Sequence, residues 1–246
     1  MSTKSISVIG PCFNEEENIE EYITRTLKSL EKLNLDYKII LIDDGSKDNT
    51  WAKILSHTNN NKKIIGLKFT RNFGHQSALM AGLNIANSDY IFCNDVDLQD
   101  PPELLEIMFE KIKKKKLDVV FGKRKKNNEN FFKKYSSIVF YKFFNLISST
   151  KINEQTSDFF LINQKVLAEL KKIKDNDVFL RGLIPWFGFK SDFVEFQREI
   201  RKKGTSGWSI TKMIDFSLTA FLSFSNFPMR FSFYLILLSI IIFISL

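Results

Sequence analysis

The run SISVIGPCFNEEENI, Ser5 to Ile19, passes from a β-branched stretch through a polar loop into a helical pattern, and that passage decides the fold. Ser5 to Gly10 reads as a strand, Pro11 to Glu16 as a loop rich in acids and amides, and about Glu16 to Lys32 as a helix. The same rhythm repeats downstream. Tyr37 to Ile42 (YKIILI) is a second strand before a short helix at Thr50 to Ser56, and Ile64 to Phe69 a third before a helix over Gly74 to Ala86. Tyr90 to Asn94 is a fourth, followed by a helix from Pro102 to Lys114, with Pro near its start as helices tolerate. Asp118 to Gly122 (DVVFG) is a fifth. Strands that alternate with helices in this way specify an α/β fold with a mostly parallel, doubly wound sheet. The near-continuous apolar strands agree, because both faces of such a sheet are covered.

Beyond Lys123 the rhythm changes. Phe131 to Ser149 reads as a Phe- and Tyr-rich helix, Thr150 to Asp158 as a polar loop, and Asn163 to Lys172 and Asp177 to Phe187 as helices. Asp192 to Ile200 has strand character, Arg201 to Trp208 is a basic loop, and Thr211 to Phe224 is a strongly apolar helix. With 246 residues, 44% apolar and 26% charged, the chain can bury one substantial core, which excludes disordered, collagen-like and disulfide-scaffold classes. Of its 25 Phe, nineteen lie from Phe131 onward. The net charge of +8 is equally lopsided: Lys111 to Lys142 holds twelve basic residues against two acids. Such a segment could meet nucleic acid, an anionic membrane or phosphorylated substrates, or simply form a solvated helix face. Two cysteines, Cys12 and Cys93, fit a reducing compartment, and no signal peptide is visible. Phe231 to Leu246 carries no charge and is expected to be a transmembrane helix that stops short of a full anchor. The expected division is therefore a catalytic domain over residues 1–208, an amphipathic interface helix over 209–230 and a truncated transmembrane helix over 231–246.

In open parallel sheets ligands bind beyond the carboxyl ends of the strands. Here the first strand ends in Pro11-Cys12-Phe13-Asn14-Glu15-Glu16, the second in Asp43-Asp44-Gly45-Ser46, and the fourth in Asn94-Asp95-Val96-Asp97-Leu98-Gln99-Asp100. Carboxylates so gathered repel, and need a cation, a proton or ligand donors to be tolerated. Asp95 and Asp97 have the reach to hold a divalent cation, and oxygen ligands favour Mg2+ or Mn2+ over zinc. Each piece alone also fits an ordinary turn or helix cap; their convergence on one sheet edge is what points to a site. A dinucleotide site is disfavoured, because no G-x-G-x-x-G follows the first strand, and no P-loop is present. A nucleotide-diphosphate ligand with metal-bridged phosphates remains.

The blocks PCFNEEENI (Pro11 to Ile19), IDDGSKDNT (Ile42 to Thr50), TRNFGHQSALMAGL (Thr70 to Leu83) and NDVDLQDPPE (Asn94 to Glu103) carry a resemblance. So do VVFGKR (Val119 to Arg124), TSDFFLI (Thr156 to Ile162), FLRGLIPWFGF (Phe179 to Phe189) and RKKGTSGWS (Arg201 to Ser209). The chain resembles family 2 inverting glycosyltransferases of GT-A fold, in the polyprenyl-phosphate branch that includes dolichyl-phosphate mannose synthase and undecaprenyl-phosphate glucosyltransferases. The resemblance implies metal-dependent transfer of a hexose from a nucleotide-diphosphate sugar, of UDP-glucose or GDP-mannose type, to a polyprenyl phosphate. It implies that Pro11, Asn14, Glu16, Asp43, Asp44 and Asp95 line the nucleotide pocket, and that Asp95, Asp97 and Gln99 handle Mg2+ or Mn2+. Asp158 and Asp97 would be catalytic. Arg124, Lys133, Lys134, Arg181 and Arg201 would meet the acceptor phosphate. Most relatives carry an Arg two positions after the acid matched by Asp158; here Phe160 stands there, leaving Arg181 or Lys203 to compensate. The partners implied are the nucleotide sugar, the polyprenyl phosphate and a lipid membrane, without nucleic acid and with room for a homo-oligomer. The location implied is the inner or cytoplasmic membrane, with the catalytic domain facing the cytoplasm. A family 2 transferase with another lipid or glycan acceptor, and a basic binding module, are the rival readings. The second leaves Asp43, Asp44, Asp95 and Asp97 without a purpose.

Overall fold

The computed structural model describes residues 4–125, 156–174, 178–199 and 227–245. The chain divides into two compact units, Met1–Lys126 with Gln155–Ser206 and Asn127–Glu154 with Gly207–Leu246. In the first, the strands are β1 (Ser5–Cys12), β2 (Asp36–Asp43), β3 (Ile64–Lys68), β4 (Tyr90–Cys93), β5 (Val119–Arg124), β6 (Thr156–Asn163) and β7 (Ser191–Phe196). Its helices are α1 (Ile19–Leu33), α2 (Thr50–Asn60), α3 (His75–Ile85), α4 (Leu104–Lys114), α5 (Gln164–Leu170) and α6 (Leu180–Trp186). The strands form one sheet in the order β3-β2-β1-β4-β6-β5-β7.

Strand alternation sends side chains to both faces, and both are apolar. Ile39 and Leu41 join Ile6, Val8 and Phe92 beneath α1, α2 and α4, where Tyr22, Ile54 and Met108 are buried. Ile40 and Ile42 join Ile9 and Ile91 beneath α3, α5 and α6, where Leu79, Leu83, Val166 and Ile184 are buried. The result is a three-layer α/β/α arrangement.

The β4-β6-β5 stretch departs from the sequence reading. Residues up to Asp158 were expected to be loop, but Thr156 already begins β6, which runs antiparallel to both β4 and β5 and separates them. β7 then pairs parallel to β5. The first residues of β6, Thr156 to Asp158, are polar, and such a run reads as loop in a sequence. Only Phe159 to Ile162, all fully buried, show the apolar run of an interior strand. Part of the basic run is also accounted for: Lys111 of α4 and Lys115 just after it reach Asp192 of β7 at 3.1 and 2.6 Å, and Lys123 reaches Glu195 at 2.8 Å.

In the second unit, the described element is α7 (Phe227–Ser245), 19 residues long. The expected transmembrane segment over 231–246 is overturned: among the described residues no helix is long and apolar enough to cross a membrane. Arg230 falls in the first turn of α7. The inner-membrane location that rested on this segment loses its support with it. The expected helices at 131–149 and 211–224, and nearly all of the interface helix over 209–230, lie outside the described residues.

Gly82 shows how tightly α3 sits on the sheet. A Cβ there would stand 2.5 Å from Ile9 Cγ2 and 2.9 Å from Ile42 Cδ1. Helix propensity alone would favour Ala by about 1 kcal/mol, whereas overpacking costs about 1–3 kcal/mol. Gly82→Ala is therefore expected to lower the urea midpoint of unfolding; a higher midpoint would show that propensity wins.

Candidate active site

Strand pairing assembles the centre of the site. Cys93 of β4 pairs with Phe160 of the antiparallel β6, so Asp95 and Asp158, each two residues further toward the edge, emerge together. α3 opens at the same edge with His75, whose Nε2 lies 3.5 Å from Asp95 Oδ1 and 3.4 Å from Asp158 Oδ2. Gln76 Nε2 donates to Asp158 Oδ2 at 2.9 Å, while its Oε1 accepts the Leu180 N–H at 3.0 Å and so ties α3 to α6. Arg181 of α6 donates through Nε to the same carboxylate oxygen at 3.0 Å, with Nη2 at 2.8 Å. Phe160, in place of the expected Arg, is core, 6.4 Å from the Phe121 ring, and Arg181 supplies the cation beside Asp158.

Burial opposes the charge on Asp158, but Arg181 and His75 override it and hold the carboxyl well below the usual carboxylate range. Burial likewise opposes the His75 imidazolium, yet Asp95 and Asp158 push its pKa up to about 9. Asp95 is raised by burial and by the neighbouring Asp97, Asp100 and Asp158, with His75 acting against them. The place of His75 between two carboxylates comes from the antiparallel β6, which brings Asp158 beside Asp95.

The loop after β4 is wound tightly. Leu98 has φ 60°, a left-handed conformation uncommon for a branched side chain and costly without support from its surroundings. The Gln99 N–H donates to Asp97 Oδ1 at 3.0 Å, and Asn94 Nδ2 donates to the Asp100 carbonyl at 2.8 Å. Asp100, buried, accepts from Arg124 Nη2 at 2.8 Å. Arg198 Nε stands 3.6 Å from Asp100 Oδ1, and its Nη2 lies 4.0 Å from Asp97 Oδ2. The Nε atoms of Arg124 and Arg198 are buried without a hydrogen-bond partner. Sequence reasoning missed Arg198. The signal was available in principle, since β7 is parallel to β5 and its carboxyl end must open on the same edge.

On the β1 and β2 side, the two loops are laced together. The Asn14 N–H donates to Ser46 Oγ at 2.9 Å, and Asn14 Oδ1 accepts the Lys47 N–H at 2.8 Å. Glu16 Oε2 accepts the Asn49 N–H at 2.8 Å. Pro11 lies within β1, buried opposite Ile42. Asp44 turns away to the loop before α3, accepting the N–H groups of Phe73 and Gly74 at 2.7 and 2.9 Å and Asn72 Nδ2 at 2.9 Å. Asp43 Oδ1 accepts the Ser46 N–H at 2.9 Å, whereas its buried Oδ2 has no hydrogen-bond partner. Gly45, at φ 70°, permits the crossing: a Cβ would meet the Arg71 backbone at 2.4 Å.

Among the described residues no group of three or more His, Cys, Asp or Glu side chains is placed to hold a metal unaided. Gln99, expected as a ligand with Asp95 and Asp97, takes part through its backbone, which donates to Asp97 and accepts the Glu199 N–H at 2.9 Å. The two carboxylates nevertheless fit a divalent cation. Asp95 Oδ1 is buried without a hydrogen-bond partner, and Mg2+ is commonly bound by one or two carboxylates together with substrate phosphates. Lys133, Lys134, Lys203 and Arg201 lie outside the described residues.

The profile described as Glycosyl transferase family 2 matches residues 7–171, which span every strand from β1 to β6. The chain belongs to glycosyl transferase family 2. It is 35% identical over 229 residues to an uncharacterized glycosyltransferase of Synechocystis, covering 93% of this chain and 72% of that protein. It is 37% identical over 227 residues to the prophage bactoprenol glucosyl transferase homolog of Escherichia coli K12, covering 92% and 74%. The fold also matches the mannosyltransferase PcManGT from Pyrobaculum calidifontis, solved in complex with GDP-Man and Mn2+. That match has a TM-score of 0.53 at 17% identity, over 79% of this chain and 56% of that one. The sheet is thus GT-A-like, and the chain is a glycosyltransferase that moves a hexose from a nucleotide-diphosphate sugar.

Asp44 offers a direct check on the loop architecture. Asp44→Ala leaves the Phe73 and Gly74 N–H groups without their carboxylate, at an expected cost of about 3 kcal/mol in urea unfolding. Asp44→Asn is expected to recover part of that loss.

Proposed function

We propose that the hexose acceptor is the phosphate of a polyprenyl phosphate and that the transfer inverts the anomeric configuration. The observation that carries this reading is the pairing, at one sheet edge, of the Asp95–Asp100 acids with two arginines, Arg124 and Arg198, whose buried Nε–H groups make no hydrogen bond. An acid cluster alone suits a metal-bridged diphosphate; guanidinium groups with spare donors suit a second anion beside it. The resemblance to bactoprenol glucosyl transferases, 36% identical in the case of Shigella phage SfV, supports the lipid phosphate as that anion.

In this reading Asp43 Oδ2, the unpartnered buried acceptor, takes an N–H of the nucleotide base. Asp95 and Asp97 hold Mg2+ or Mn2+ against the donor diphosphate. When bound, that ion supplies charge stabilisation to the departing nucleoside diphosphate. Arg124 and Arg198 receive the acceptor phosphate and bring one of its oxygens to the anomeric carbon, with Arg181 near the sugar. A phosphate is already anionic near neutral pH, so it needs little help from a base. Asp158 agrees with that economy: its depressed pKa makes it a weak base, while its grip on His75, Gln76 and Arg181 suits it to orient sugar and acceptor.

The test is a panel of UDP-glucose and GDP-mannose with undecaprenyl phosphate in detergent, after EDTA treatment and with Mg2+ or Mn2+ restored. A polyprenyl-phosphate hexose is expected only with metal. Asp97→Asn is expected to lower kcat by about 100-fold or more. Full activity in that variant sinks the metal assignment, and product on a different lipid or glycan alone sinks the acceptor.

A further inference from the structure

Arg25 lies outside every assigned role, yet among the described residues it is one of the most engaged cations. It projects from α1, with its side chain 18% exposed. Its Nε donates to Glu103 Oε1 at 2.7 Å and its Nη2 to Glu103 Oε2 at 2.8 Å, a bidentate fork. The same Nη2 donates to Glu199 Oε1 at 2.9 Å, and Nη1 lies 3.5 Å from Glu21 one turn back on α1.

Glu103 and Glu199 bracket the reacting edge. Glu103 stands immediately before α4, where the loop that carries Asp97 and Asp100 ends. Glu199 directly follows Arg198, and its N–H donates to the Gln99 carbonyl inside that loop at 2.9 Å. Three residues earlier, the Phe196 carbonyl accepts the N–H of Lys125, the neighbour of Arg124. The short exit of β7 that bears Arg198 is therefore fastened at both ends: to β5 through Phe196, and to α1 and the acid loop through Glu199. The fork geometry of a guanidinium suits this task, because one rigid plane serves two carboxylates.

We propose that Arg25 is a positioning residue: through Glu199 and Glu103 it holds Arg198 over Asp97 and Asp100, so that the acceptor phosphate meets a preformed pair of arginines. This rests on the acceptor reading above, although the latch itself can be measured without any substrate. An exposed ion pair would do little more than decorate the surface. Arg25 differs because two of its carboxylate contacts, Glu103 and Glu199, join α1 to the segments on the two sides of the site.

The experiment uses Arg25→Gln, Glu199→Gln and Arg25→Lys in the full chain. Amide hydrogen exchange comes first. The Glu199 amide and the 97–103 loop are expected to exchange about tenfold faster in both Gln variants, while Tm falls by no more than about 4 °C. Unchanged exchange at both places overturns the latch. Kinetics follow with undecaprenyl phosphate as the varied substrate. Acceptor KM is expected to rise about tenfold, with donor KM within about twofold, and the double variant is expected to be no worse than either single one. Arg25→Lys, which keeps the charge but lacks the fork, is expected to fall between. If the wild type transfers to undecaprenyl phosphate and both KM values move equally or not at all, the positioning role is overturned. If the wild type makes product only on another acceptor, the acceptor reading fails, and the same comparison on that acceptor decides the latch.

Discussion

Four carboxylates, Asp95, Asp97, Asp100 and Asp158, are forced onto one sheet edge by strand pairing, and their mutual repulsion sets the terms for everything around them. Each is met by a cation from a different element. His75 comes from α3, Arg181 from α6, Arg124 from β5, and Arg198 from the exit of β7. This compensation explains why segments far apart in sequence converge. It also explains why Asp158 stays ionised where burial would otherwise protonate it. The arrangement is poised, since its cations can turn from protein carboxylates toward incoming phosphates, and its acids can turn toward a divalent ion.

Poise has a structural cost, which the surrounding loops absorb. Leu98 sits in the left-handed region, and Gly45 crosses the Arg71 backbone where no side chain would fit. Asp44 spends its whole carboxylate on backbone and amide donors of the loop leading to α3. Such residues touch no reacting atom in the proposed chemistry. They hold His75 and the β2 loop at the required distance, so the rigid sheet, and not loop flexibility, defines the geometry.

Much of this was legible in the sequence, for identifiable reasons. β1 to β5 announce themselves because both faces of an interior strand are apolar, and the rule of the carboxyl edge then places Asp43, Asp95 and Asp97 together. β6 hid because it opens on the polar residues Thr156, Ser157 and Asp158, and a polar run mimics a loop. Once β6 is misread, Asp158 cannot be placed opposite Asp95, His75 has no reason to be central, and Arg198 has no edge to face. Asp44 was harder to read for a different reason: a carboxylate that serves backbone N–H groups looks, in sequence, like one that serves a ligand. The transmembrane expectation rested on the apolar composition of residues 231–246, and apolar composition alone does not make a span.

The insertion of β6 between β4 and β5 also constrains how the chain can be made. β1 to β4 need only neighbours already synthesised, so a four-stranded half-sheet can form early. β5 cannot dock on it, because its partner β6 comes more than thirty residues later in the chain. Until residue 163 has emerged, β4 presents an open, apolar edge of unpaired backbone groups, the kind of template on which strands of other chains can pair. The residues that complete the acid cluster are thus the same ones that close the sheet, and a chain that has not yet built its site is also a chain at risk of aggregation.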